Sequence, residues 1–171
     1  MISAGTSNMA AIDSNNRLFL WGGNIYGGLG DGTTVNKSSP VQIGTSSWIS
    51  VSLGSGQAAA IRSDGALFTW GLNNGDNTNI ARSSPVQIGT SSWTNVFAYG
   101  ATWVHAINSN NKLFAWGLGT TGQLGYNDAV SRSSPVQISS GNFSTVAAYG
   151  TTPNTLGIQT GGSLWAWGSK T

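Results

Sequence analysis

The sequence has no cysteine, no glutamate and one histidine in 171 residues. Without cysteine there is no disulfide, no thiolate metal site and no thiol nucleophile. Charged residues make up only 7% of the chain, too few for the salt-bridged polar faces of amphipathic helices. No apolar run approaches the roughly 18 residues of a membrane-spanning helix. The opening MISAGTSNMAAID lacks the charged start and apolar stretch of a secretory leader. The seven cations (Arg17, Lys37, Arg62, Arg82, Lys112, Arg132 and Lys170) are scattered, so the formal charge of +2 builds no basic stripe and argues against nucleic acid as a partner.

What the chain has instead is glycine, tryptophan and repetition. The stretch Gly5–Gly22, GTSNMAAIDSNNRLFLWG, returns as Gly54–Gly71, Gly100–Gly117 and Gly150–Gly168. A second phrase, SSPVQI, begins at Ser38, Ser83 and Ser133. Self-similarity at a period near 50 residues marks a propeller or solenoid. The whole chain, 1–171, reads as one repeat domain with units of approximately 1–37, 38–82, 83–132 and 133–171.

Each Gly…Trp-Gly unit predicts a hairpin, the first with strands Asn8–Ile12 and Arg17–Trp21 around the turn Asp13-Ser14-Asn15-Asn16. Side chains alternate along a strand, so Phe19 and Trp21 share one face and Leu18 and Leu20 the other. A strand apolar on both faces belongs to a sheet covered on both sides. The second phrase predicts another hairpin, Pro40–Ile43 with Trp48–Val51, repeated at Pro85–Ile88 with Trp93–Val96 and Pro135–Ile138 with Phe143–Val146. Four strands per period is the content of one propeller blade.

Trp-Gly followed by Gly-Gly-Leu-Gly (Gly27–Gly30) or Gly-Gln-Leu-Gly (Gly122–Gly125), then the proline strand, then the next Gly…Trp-Gly unit, resembles the RCC1 repeat family, the regulator of chromosome condensation type of β-propeller. The resemblance covers essentially the whole chain. It implies an all-β propeller segment of about three and a half four-stranded blades, completed by oligomerisation or left partial, in a family that serves mostly as interaction platforms. Its best-known member is a guanine-nucleotide exchange factor for a small GTPase. That activity is not carried over, because the family's frequent histidine after the opening glycine is here Asn8, Gln57, Trp103 and Pro153.

No catalytic constellation emerges, and neither a metal nor a cofactor is expected. His105 stands alone in its strand, where a histidine is more often packed than basic. Asp31 and Asp128 follow the glycine-leucine-glycine elements; with Asn24 and Asn127 they offer oxygens to a cation such as Ca²⁺, but no EF-hand or nonapeptide spacing supports one and turn chemistry is the preferred reading. Trp21, Trp70, Trp116 and Trp167 recur in register and predict core, as do the opening glycines Gly5, Gly54, Gly100 and Gly150. Trp103 and Trp165 fall out of register and predict exposed aromatics. The candidate rim and binding residues are Asn24, Tyr26, Asp31, Trp103, His105, Tyr126, Asp128 and Trp165. The resulting expectation is a non-enzymatic structural module that binds a protein partner, or a second copy, through open blade edges. A virus particle, as phage tail or capsid decoration, is its first expected setting. A glycan-binding propeller using Trp103 and Trp165 is the alternative, and a GTPase regulator comes third.

Overall fold

The computed structural model describes residues 1–72, 74–100, 103–148 and 153–169. All regular structure is antiparallel β. The first sheet orders β1 (Ile2–Ala4), β2 (Asn8–Ile12), β3 (Leu18–Gly22) and β4 (Lys37–Gln42) side by side; the second repeats this with β5 (Trp48–Leu53), β6 (Gln57–Arg62), β7 (Leu67–Gly71) and β8 (Arg82–Gln87). A third, six-stranded sheet runs β9 (Trp93–Tyr99), β10 (Trp103–Asn108), β11 (Lys112–Gly117), β12 (Arg132–Ala148), β13 (Asn154–Gln159) and β14 (Leu164–Gly168). It is two blades joined by one strand. The first part of β12 pairs with β11, and its last part pairs with β13. The described residues therefore form three four-stranded blades and a fourth with three strands.

Two sequence expectations are corrected here. The strand β1 precedes the first Gly…Trp-Gly unit and was not anticipated; its Ser3-Ala4-Gly5 matches Ser52-Leu53-Gly54. The proline strand and the Trp strand after it do not form a hairpin. β4 pairs with β3 and β5 with β6, so the turn at Ile43–Ser47 carries the chain from one blade to the next.

The Gly…Trp-Gly hairpins hold as expected. Asn16 and Asn111 take φ of 61° and 60° in their turns, a conformation asparagine tolerates better than most residues. Asp13 accepts from the amides of Asn15 and Arg17, closing the first turn.

Blades stack face to face, and each joint sets an aliphatic hairpin face against a Trp-bearing face. The aliphatic face of blade 1 (Ala10, Ile12, Leu18, Leu20) packs against the aromatic face of blade 2 (Trp48, Val51, Leu53, Ala58, Ala60, Trp70). Ala59, Ile61 and Leu67 of blade 2 meet Trp93, Val96, Ala98, Val104, Ala106 and Trp116 of blade 3. Ile107 and Leu113 of blade 3 meet Phe143, Val146 and Trp167 of blade 4. Along the inner side, β1, β5 and β9 lie next to one another. The Leu53 amide donates to Ser3 Oγ at 3.1 Å and the Ala98 amide to Ser52 Oγ at 2.9 Å. Gly5 and Gly54 are needed here, because a Cβ on either would run into the carbonyl oxygen of the next blade's glycine, Gly54 or Gly100. Gly150 lies outside the described residues.

Candidate functional site: rim loops and end faces

The glycine-leucine-glycine loops are the locks between blades. In the first, the Gly27 and Gly30 amides close two successive turns onto Asn24 and Gly27, and Leu29 is fully buried. Gly30, at φ 74°, lies flat on the indole of Trp70, and the Trp70 Nε1 donates to the Gly28 carbonyl at 2.9 Å. Gly125 and Gln123 hold Trp167 the same way, again at 2.9 Å. The shorter second linker, which lacks the Gly-x-Leu-Gly letters, still places Gly75 on Trp116. A signal for this was present: Gly75-Asp76 stands six residues before Arg82, as Gly30-Asp31 stands before Lys37. A Cβ on Gly30 would lie 2.8 Å from Trp70 Nε1 and add strain at positive φ. Gly30→Ala is therefore expected to destabilise the chain by about 1–3 kcal/mol, read as a lowered urea midpoint with unchanged slope.

The rim acids are occupied by the protein itself. Asn24, buried, donates from Nδ2 to Asp31 Oδ1 at 3.1 Å and to the carbonyls of Thr33 and Val35. Asp31 also takes the Thr33 amide and hydroxyl and pairs with Lys37 at 3.2 Å. Burial opposes the Asp31 charge, but Thr33 and Lys37 outweigh it and hold the carboxyl below its ordinary range. Asp76 pairs with Arg82 at 2.7 Å and Asp128 with Arg132 at 2.6 Å. Asp13–Arg17 and Asp64–Arg62, in hairpin turns, complete a set in which all five acids are paired. Turn chemistry accounts for these carboxylates, and no group of three or more histidine, aspartate or glutamate side chains converges among the described residues.

Several candidate residues are packing residues. Trp103 is only 4% exposed, enclosed by Tyr99, Leu124, Tyr126 and Ala148; strand β10 turns it inward, so the expected exposed pair of indoles does not exist. His105 is fully buried between Tyr99 and Trp167, with ring centroids 6.1 and 5.8 Å away, and neither ring nitrogen has a partner among the described residues. Burial lowers its pKa to about 3, so the ring is neutral. Tyr126 stands in the place of Asp31, and its hydroxyl bonds the Ala115 and Val136 carbonyls with Arg132 over its ring at 5.1 Å. Tyr26 is exposed along one side and rests on Gly56.

Trp165 is exposed, and it marks a distinct feature. It lines a groove of about 580 Å³ with Thr121, Asn127, Asp128, Phe143, Gln159 and Trp167. The corresponding spaces at the first two blade joints are walled by Ser84-Pro85 and Ser134-Pro135, from the outer strands of blades 2 and 3. Blade 4 has no fourth strand among the described residues, so the outer edge of β14 forms the wall instead.

Large apolar side chains are open on the two end faces, where the sequence pointed to blade edges. Blades stack by their faces, and at each end of the described arc one sheet face has no blade packed against it. At one end Ile2, Met9, Phe19 and Trp21 form the aromatic face of blade 1; Ile2 is 85% exposed and Trp21 only half-buried, whereas its counterparts Trp70 and Trp116 are fully buried. At the other end Leu156, Ile158, Leu164 and Ala166 form the aliphatic face of blade 4. Leu164 is 68% exposed, while Leu18, Leu67 and Leu113 at the same repeat position are fully buried.

Comparison with known proteins places this geometry. The repeat profile described as Regulator of chromosome condensation (RCC1) repeat matches residues 15–61 and 110–152. The ultraviolet-B receptor UVR8 of Arabidopsis thaliana is 33% identical over 138 residues, 75% of this chain and 31% of that protein. Human WBSCR16 superposes with a TM-score of 0.82 at 20% identity, over 98% of this chain and 47% of that one. Yeast RCC1 (Prp20), solved with Kap60 bound, gives 0.78 at 16% identity, over 98% and 43%. The chain thus spans about a third of the curated relative and under half of each solved propeller. With its tryptophan-locked blades and its matched repeats, the chain belongs to the RCC1 repeat family.

Proposed function

We propose that this chain is a non-enzymatic interaction module that binds protein through the open faces of its first and last blades. The observation that carries the reading is the contrast in burial at one repeat position: Leu164 lies open where Leu18, Leu67 and Leu113 are sealed. Contiguous exposed apolar surface of this kind marks an interaction site. Yeast Prp20, a propeller of the same fold, is known bound to Kap60, which supports protein as the partner class. The one histidine is buried with unpartnered nitrogens and every acid is tied to an arginine or lysine, which supports a role without acid–base chemistry. The setting that the charge-poor composition supports is a multichain assembly such as a virus particle, where neighbouring chains cover each apolar end.

A photo-reactive amino acid in place of Leu164 or Met9 tests the reading in cells that produce the chain. Polypeptide cross-links from these two positions are expected, and none from Ser14 in an exposed hairpin turn. Products no more abundant at 164 and 9 than at 14 would remove the end faces as binding surfaces.

A further inference from the structure

We propose that the partner is a second copy of this chain, bound head to tail, with the first blade of one copy seated on the last blade of the other. The inference rests on the interaction-module reading above and names its partner.

The chain contains three worked examples of the joint. In each, an aliphatic face built on a hairpin meets the Trp-bearing face of the next blade, always in the same order along the chain. The two end faces are the unpaired halves of that joint. Ile2, Ala4, Met9 and Trp21 occupy the repeat positions of Val51, Leu53, Ala58 and Trp70, as the strand registers show. Leu156, Ile158, Leu164 and Ala166 occupy those of Ala59, Ile61, Leu67 and Thr69. The apolar types are kept on both sides. Neither set contains a charged side chain; Arg17 holds its guanidinium 5.5 Å over the Phe19 ring, as Arg62 covers Phe68 at 5.0 Å in the equivalent place on blade 2.

The joint is directional, so it selects the symmetry. No interior joint sets two aliphatic or two aromatic faces together. A face-to-itself contact therefore has no precedent in the fold, while a head-to-tail contact repeats one already made three times. Two copies joined this way at both ends cover all four open faces in one closed ring, and neither face is left to continue a filament.

The test uses native mass measured across a dilution series. Wild type is expected at twice the 17.6 kDa chain mass. Leu164→Glu loses the tail face and Met9→Glu the head face; each alone is expected at single-chain mass, because every closed contact needs both. Mixing the two variants restores one intact joint and should return the doubled mass. Both positions are more than half exposed, so the variants should fold, and tryptophan fluorescence checks this. Ile2→Glu with Ile158→Glu repeats the test at independent positions. A wild type that stays at single-chain mass at every concentration overturns the inference, as does a single variant that remains doubled or a mixture that stays single. Cross-links from position 164 to a different polypeptide would leave the module reading standing while the second copy falls.

Discussion

Trp70→Ala is expected to cost about 3–5 kcal/mol of folding stability, the range for removing a large aromatic side chain from a packed core. Trp70 is fully buried, makes an edge contact with Trp48 at 6.4 Å, and donates to Gly28 across the blade joint. Its loss opens a void between blades 1 and 2, leaves the Gly28 carbonyl without its partner, and takes away the surface on which Gly30 rests. The control is Trp21→Ala, the same letter in the same repeat. Trp21 sits half-buried on the open face of blade 1, so its removal should cost about 1 kcal/mol when measured below the concentration at which copies associate. Urea denaturation followed by circular dichroism reads both values. Equal losses would mean that the tryptophans contribute through the hairpin alone, and the account of the joint would be wrong.

The second large effect is a dependence on acid that runs through His105. The ring is neutral in the fold because burial lowers its pKa to about 3, against an ordinary value near 6.5. A histidine whose folded pKa is depressed stabilises the native state only above its unfolded pKa. As pH falls below about 6.5 the unfolded chain takes up the proton first and stability declines. Between pH 6.5 and 4.5 the loss should reach about 2–3 kcal/mol. Aspartates add little in that window: all five have folded pKa values held below 3.8, so most of their contribution is lost only below pH 4.5. His105→Leu borrows the residue that blade 4 carries at the same place, Leu156. It should flatten the profile from pH 6.5 to 4.5 and raise stability at neutral pH, because two unpartnered ring nitrogens leave the core. A slope that persists in the variant would assign the acid sensitivity elsewhere.

Buried polar side chains at this level of the molecule differ from blade to blade. Gln57 Nε2 reaches the Trp103 carbonyl at 2.9 Å, whereas the shorter Asn8 has no partner for its amide.

The fold class, the period and the hairpins are legible in the amino-acid order alone. Turn residues with the right backbone tolerance, strands apolar on both faces and an in-register tryptophan are local properties, and each copy confirms the others. The same order also marked the core members Trp70 and Trp116 and the joining glycines Gly5, Gly54 and Gly100, because repetition exposes positions that all blades need. Which copies of a repeated residue are covered depends on contacts between blades. Leu164 and Leu67 carry the same letter at the same position, and nothing local separates them. The neighbour that buries one and not the other comes from a different blade. The inward turn of Trp103, the enclosure of His105 and the unpaired edge beside Trp165 follow from the same cause. So does the sharing of each proline strand and its following Trp strand between two sheets. Strand pairing is a choice among partners distant in sequence, and the blade joint makes that choice through contacts that no single repeat contains.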